Sequence, residues 1–103
     1  MNQTEINRIK KKRRRVLELL GTYNPHPVTE HMLAQELETD ERAQDMSRDE
    51  LRQALQYMAD YNLVEVDVEG TGYSSTWAAR IRAQGVDYLM GIAAVEIPGV
   101  AAG

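Results

Sequence analysis

Six consecutive cations near the start of the chain are the side chains best suited to binding an anion. They are Lys10, Lys11, Lys12, Arg13, Arg14 and Arg15. Such a run repels itself and adds little to a fold, so it predicts contact with phosphates, above all those of double-stranded DNA. The alternative is a solvated helix face that serves solubility or pairs with the carboxylates of a neighbouring subunit. Because the cations surround more than a full helical turn, we expect this stretch to stay outside the core.

Four polar side chains on a predicted helix over residues 48–61 are candidates for reading a DNA sequence. They are Arg48, Arg52, Gln53 and Gln56. In a major groove, Arg can pair with guanine and Gln with adenine through two hydrogen bonds each. The alternative is an ordinary solvated helix face, because phosphates would repel Asp49, Glu50 and Asp60 of the same helix.

A predicted β-hairpin supplies the last candidates. Apolar and acidic residues alternate over residues 64–69, a glycine-rich turn follows, and a return strand is expected over residues 73–81. The neutral residues at its tip are Thr71, Tyr73 and Ser74. The outer face of the first strand carries Glu65, Asp67 and Glu69. These carboxylates disfavour a phosphate backbone, and cross-strand pairing could occupy Arg80 and Arg82.

Residues with metal-binding or catalytic chemistry are few. The chain has two histidines, His26 and His31, and no cysteine. They lie five residues apart across a turn, and Glu30 alone would not complete a ligand set, so we expect no metal and no other cofactor. The sequence has no glycine-rich phosphate loop, no Gly-x-Ser-x-Gly and no paired carboxylates in a pocket-forming context. We therefore expect no catalytic residues and no enzyme activity.

Composition sets the class of protein. A chain of 103 residues, 43% hydrophobic and 27% charged, suits one small domain. Without cysteine it needs no oxidising compartment, and no apolar run is long enough to span a membrane, so we expect a cytoplasmic protein with no membrane contact. The net charge is −4, but residues 1–20 carry +5 and residues 21–60 carry −6. This segregation predicts a basic arm on an acidic body.

Capping and periodicity predict four helices. Residues 4–20 contain no Gly or Pro and predict helix 1, docked through residues 16–20. Thr29 is expected to cap a helix over residues 30–38 that buries Met32, Leu33 and Leu37. An acidic loop follows over residues 39–46, and Ser47 with Glu50 matches a capping box for the third helix. A fourth helix is expected over residues 83–89.

The hairpin and the end of the chain complete the prediction. We expect Trp77 to be largely buried between the hairpin and helix 1, on the same face as Val64, Val66 and Ile81. Asn62 is expected to end the third helix, because Asn tolerates the left-handed conformation. Residues 92–103 show no periodicity and predict a tail that either docks or stays loose.

The order of three helices, a hairpin and a closing helix is that of a winged helix-turn-helix. The stretch ALQYMADYNLVEVDVEGTGYSSTWAARIRAQGVDYL resembles one that winged-helix families share: a recognition helix ends before Leu-Val, a wing follows, and a Leu-Thr-x-x-Gly helix closes the domain. The matching residues are Leu63, Val64, Gly70, Gly72, Gly85 and Leu89. Asn62 stands where glycine is commoner, and Arg82 where threonine usually caps the last helix. The ending GIAAVEIPGVAAG and the small size are similar to small ArsR-like proteins encoded by Mu-like phages and prophages.

The resemblance covers about residues 13–100. It implies an α+β, mainly helical fold with a two-stranded β-hairpin wing and a C-terminal helix. The predicted parts are a basic arm over residues 1–15, continuous with helix 1, a winged-helix domain over 16–91 and a tail over 92–103. The implied function is a phage or prophage transcriptional regulator that binds double-stranded DNA without catalysis. The alternative is a module that does not bind DNA and docks a basic protein partner on its acidic surface.

Association with a second copy is a further expectation. Ile6, Ile9 and residues 92–100 are apolar ends that a monomer of this size would struggle to cover. Together with the dimeric habit of helix-turn-helix proteins, they predict a homodimer.

Overall fold

Four helices and a three-stranded antiparallel sheet form the fold in the computed structural model, which describes residues 2–43, 45–93 and 96–103. The elements are α1 (Gln3–Thr22), β1 (Val28–Thr29), α2 (Glu30–Glu38), α3 (Arg48–Asp60), β2 (Val64–Glu69), β3 (Thr76–Ile81) and α4 (Ala83–Leu89). Residues 1, 44, 94 and 95, which belong to the predicted arm, loop and tail, lie outside the described residues. The α+β class is as predicted.

The helices α2 and α4 have the predicted bounds, and α3 begins at the predicted Arg48, because their caps are local. Helix α1 continues through Gly21 to Thr22, two residues beyond its predicted end, and α3 ends one residue early, at Asp60. The backbone N–H of Met32 donates to the Thr29 hydroxyl at the start of α2. The Glu50 N–H donates to Ser47 Oγ, and the Ser47 N–H donates to a Glu50 carboxylate oxygen, each at 3.1 Å. Asn62 follows α3 with a φ of 62°, the left-handed conformation expected of it. No helix within the described ranges combines the length and the apolar character that crossing a membrane requires.

The sheet differs from the predicted two-stranded hairpin. Its order is β1-β3-β2, with Val28 opposite Ala79 and Thr29 opposite Ala78. Strand β1 was not predicted, because a strand of two residues is too short to show periodicity. The return strand begins at Thr76 rather than Tyr73, since Gly72–Ser74 forms a single 3₁₀ turn. The alternation across the rest of the hairpin is as predicted.

The core lies between the C-terminal half of α1, the inner face of α3 and the sheet. Leu51, Ala54, Leu55 and Met58 are all buried, as their spacing predicts. Two expectations are wrong. Met32 is 45% exposed, because the inward face of this two-and-a-half-turn helix is already filled by Leu33 and Leu37. Trp77 is only half-buried, and it lines a cavity of about 450 Å³ together with residues of α2 and α3.

The end of the chain docks on α1 and α3. Ile97 and Val100 are buried, and the Tyr88 hydroxyl donates to the Val100 carbonyl at 2.7 Å and lies 3.2 Å from that of Ile97. The Ala101 N–H donates to the Lys10 carbonyl at 3.1 Å. Ile97 and Val100 therefore need no second copy to cover them, and the homodimer stays a prediction that rests on other residues, such as Ile92, which is 65% exposed.

Gly85 lets α4 approach the start of β2 closely. A Cβ at this position would lie 2.2 Å from the Leu63 carbonyl oxygen and 2.7 Å from Cγ1 of Ile81. The Leu63 carbonyl is fixed in place because it accepts from the Arg82 N–H at 2.9 Å. The backbone would therefore have to move to admit a methyl group.

We expect Gly85→Ala to lower the free energy of unfolding by about 2 kcal/mol or more, even though Ala favours a helix over Gly by about 1 kcal/mol. Urea unfolding followed by circular dichroism measures this change. The exposed neighbour provides the control, since Gln84→Ala should stay within about 0.5 kcal/mol of the wild type. Equal unfolding midpoints for Gly85→Ala and the wild type would show that α4 does not approach Leu63 this closely.

Candidate functional site

Lys12 lies inside the fold, contrary to the expectation that residues 10–15 stay outside the core. Its exposure is 4%, because it stands one turn before Val16 on the inward stripe of α1. The alkyl stem is covered, and the Nζ atom lies 3.5 Å from a carboxylate oxygen of Glu50. Burial alone would raise the pKa of Glu50, but bonds from Ser47 and the charge of Lys12 outweigh it and lower that pKa.

Three arginines of the same run bind other parts of the chain. The Arg13 guanidinium lies 4.2 Å from the centre of the Tyr57 ring and donates to the Gly99 carbonyl at 3.3 Å. Arg14 donates to Glu18 at 3.3 Å and to the Ala101 carbonyl at 3.2 Å. Lys10 and Lys11 are the other two cations of the run. Within the described residues, neither ammonium group forms an ion pair or donates a hydrogen bond.

Arg15 pairs with a carboxylate that the sequence left in an acidic loop. It forms an ion pair with Asp40, whose side chain is only 10% exposed, and a second one with Glu18 at 3.4 Å. The Arg42 N–H also donates to Asp40, at 2.9 Å. The hydrogen bond from Arg15 is the largest cause that lowers the pKa of Asp40, to about 2. This pair attaches the loop after α2 to α1.

The two arginines of α3 converge on Glu30, at the start of α2. Arg52 forms a two-bond ion pair with the Glu30 carboxylate, one bond being 3.0 Å, and Arg48 donates to it at 3.2 Å. Glu30 is only 9% exposed. Burial alone would raise the pKa of Glu30, but the bonds and charges of the two arginines outweigh it and lower that pKa.

The same arginines hold the tip of the hairpin. Arg52 donates to the carbonyls of Ser75 at 3.0 Å and Gly72 at 3.3 Å, and its guanidinium lies 5.0 Å from the centre of the Trp77 ring. Arg48 donates to the Tyr73 carbonyl at 2.6 Å. We call Glu30, Arg48, Arg52 and Ser75 the Glu30 cluster. It joins α2, α3 and the hairpin, so neither arginine projects freely from α3.

Apart from Arg48, which is exposed but paired with Glu30, the side chains that α3 turns to solvent form one row. They are Asp49, Gln53, Gln56 and Asp60, which recur every three or four residues and are all exposed. Gln56 donates to Asp60 at 3.0 Å, and the Tyr73 hydroxyl donates to Asp49 at 3.2 Å. We call this set the outward row. It carries two carboxylates and no cation.

The hairpin presents neutral groups at its tip and acidic groups on its outer face. Thr71, Tyr73 and Ser74 are exposed, and the Ser74 hydroxyl donates to the Thr71 carbonyl at 3.0 Å. On the outer face, Arg80 lies opposite Glu65 and donates to it at 2.6 Å. This bond lowers the pKa of Glu65. Asp67 and Glu69 have no ion pair within the described ranges.

No protein-family model, curated protein or solved structure matches this chain. Its function therefore has to be argued from its own surfaces. Both histidines are exposed, and the described part of the chain holds no group of three or more His, Asp or Glu residues placed to bind a metal ion.

Two contacts that organise this surface were missed at the level of sequence. In the sequence Glu30 stands out only as a possible metal ligand, although a carboxylate in the first turn of a short helix, with two arginines four residues apart elsewhere, also suits ion pairing. Asp40 gave no signal, because it stands in a loop among other carboxylates. Both pairs join residues more than 20 positions apart, which sequence spacing cannot resolve.

The Asp40 pair predicts loss of stability in acid. Its carboxyl titrates near 3.8 when unpaired and near 2 in the fold, so the unfolded chain takes up the proton first as the pH falls. The stability that the pair contributes is complete at neutral pH and is lost as the pH falls from about 4 towards 2. Urea unfolding across this range should show a smaller decline for Asp40→Asn than for the wild type. A decline as steep as that of the wild type would contradict the pairing, and the exposed Glu41→Gln serves as control.

Proposed function

We propose that the protein is a winged-helix interaction module that binds a basic protein partner through its acidic surface and acts without catalysis. The observation that carries this proposal is the outward row of α3. A helix that entered a major groove would turn this row towards bases and phosphates, where the carboxylates of Asp49 and Asp60 would be repelled. The same row attracts a basic protein.

The arginines of α3 add support. To reach bases, Arg48 and Arg52 would have to leave Glu30, which would strand a carboxylate that is only 9% exposed. An unpaired buried charge is strongly unfavourable, so these side chains serve the fold better than they serve recognition. Gln53 and Gln56 remain, but they lie between the two carboxylates of the outward row.

The basic run adds less to nucleic-acid affinity than its length suggests. Lys12 and the three arginines are engaged within the chain, which leaves Lys10 and Lys11 for a polyanion. Each neutralised phosphate contributes about 0.9 to the dependence of log K on log salt, so two lysines provide a weak electrostatic grip.

The partner follows from the charge of the surface. Asp49, Asp60, Asp67 and Glu69 all lie at exposed positions of α3 and β2, on a chain whose net charge is −4. Complementary charge raises the rate of encounter and selects against acidic partners. The proposal keeps the cytoplasmic location and the likeness to ArsR-like phage and prophage proteins that the sequence predicts, with regulation exerted through a protein rather than an operator.

A mobility-shift experiment with a duplex of random sequence separates the two classes of function. At about 0.15 M salt we expect no shift by the wild type at protein concentrations near 1 µM. The double variant Asp49→Lys with Asp60→Lys should gain DNA binding, because it makes the outward row basic. A wild-type Kd below about 1 µM at this salt would contradict the proposal.

Affinity capture tests the protein arm of the proposal. A partner retained from a cell extract by the wild type should be basic and should be lost with the same double variant. The matched control, Lys10→Gln with Lys11→Gln, removes two charges of the other sign that form no ion pair within the described residues, and it should retain the partner. A partner that both variants retain equally would show that the outward row is not the docking surface.

A further inference from the structure

Strand β2 lies at an edge of the sheet with one side of its backbone free. The order β1-β3-β2 leaves it paired with β3 alone. The Arg82 N–H donates to the Leu63 carbonyl at 2.9 Å, so Leu63 and Arg82 form a hydrogen-bonded pair, and such pairs recur at every second residue. Glu65, Asp67 and Glu69 therefore direct their backbone groups towards β3. The N–H and C=O groups of the alternate residues, Val66 and Val68, point to the open edge, while Val64, at the start of the strand, is buried.

The side chains along this edge are acidic on one face of the sheet and apolar on the other. Glu65, Asp67 and Glu69 lie on the outer face, and within the described residues only Glu65 has an ion pair. On the inner face Val66 is half-buried and Val68 is 45% exposed. The edge thus offers free backbone groups between a row of carboxylates and a partly uncovered apolar row.

We propose that the β2 edge binds an extended segment of a basic protein partner as an additional antiparallel strand. The proposal rests on the function proposed above and adds the β2 edge to the outward row as a second contact for the same partner. Apolar residues of the added strand lie opposite Val66 and Val68 and exchange backbone hydrogen bonds with them. The residues between them are Lys or Arg, and they lie opposite the three carboxylates on the outer face.

The carboxylates along the β2 edge favour a basic strand over the β2 strand of a second copy of the chain. Two β2 edges placed side by side would bring carboxylates opposite carboxylates, which is destabilising. Charged residues on edge strands commonly prevent such pairing between identical sheets. They do not exclude a strand of the opposite charge, since Asp67 and Glu69 then gain the partners they lack within the described ranges.

A labelled peptide of about eight residues, in which Lys alternates with Val, tests the pairing on the intact protein. Fluorescence anisotropy should show saturable binding. N-methylation of the Val amides, which face β2 in the proposed register, should weaken binding by about tenfold or more, since it removes backbone hydrogen bonds. N-methylation of the Lys amides, which face away, should leave the Kd within about twofold.

Variants of β2 test the same contact from the protein side. Val68→Pro removes an N–H that points to the open edge and breaks no bond to β3, so the sheet should remain intact by circular dichroism while binding weakens about tenfold. The matched variant Val68→Thr keeps the N–H and the branched shape and should bind within about twofold of the wild type. Asp67→Lys with Glu69→Lys should abolish binding.

The outcomes separate this proposal from the function on which it rests. If both methylated peptides and Val68→Pro bind as well as their parents while the charge reversals abolish binding, strand addition is overturned and acidic docking stands. If the peptide does not bind the wild type, strand addition is likewise overturned, and the capture experiment alone decides the function. If the wild type instead binds duplex DNA below about 1 µM, the proposed function itself fails.

Discussion

The buried carboxylate of Glu30 is the group on which the placement of the hairpin depends. A charge with so little contact with water is tolerated only when it is paired, and both arginines of α3 pair with it. Once Arg52 is held there, its remaining donors fix the carbonyls of Gly72 and Ser75. Hydrogen bonds therefore hold the tip of the hairpin in place. Apolar packing holds its base, where Ala79 and Ile81 are buried.

The same pairing decides which face of α3 meets solvent. Arg48 and Arg52 turn to one side, towards Glu30, while Glu50 and Tyr57 turn to the other, towards α1. What remains outside is the outward row with its two carboxylates. Internal ion pairing thus consumes most of the cations and leaves uncompensated acidic groups at the surface. A sequence with a conspicuous basic run consequently folds into a protein whose α3 and β2 surfaces are acidic.

Most elements could be predicted because their causes lie within a few residues. The capping box at Ser47, the left-handed Asn62 and the alternation of residues 64–69 each act locally, and the helices α2 and α4 have the predicted bounds. The burial of Lys12 and the docking of residues 96–103 could not be predicted, because each depends on a partner far along the chain. The contacts of the candidate site were the least predictable part of the structure. The sequence predicts that the arginines and lysines are free to bind a phosphate, and only the fold shows which carboxylates pair with them.

A double-mutant cycle at Glu30 and Arg52 tests the central claim most directly. Urea unfolding of Glu30→Met, Arg52→Met and the double variant compares the loss of one charge with the loss of both. The account predicts that each single variant unfolds at clearly lower urea and that the double variant is no less stable than Arg52→Met alone, because Glu30 is then not left buried without a partner. Effects that simply add, or single variants that unfold at the wild-type midpoint, would contradict it.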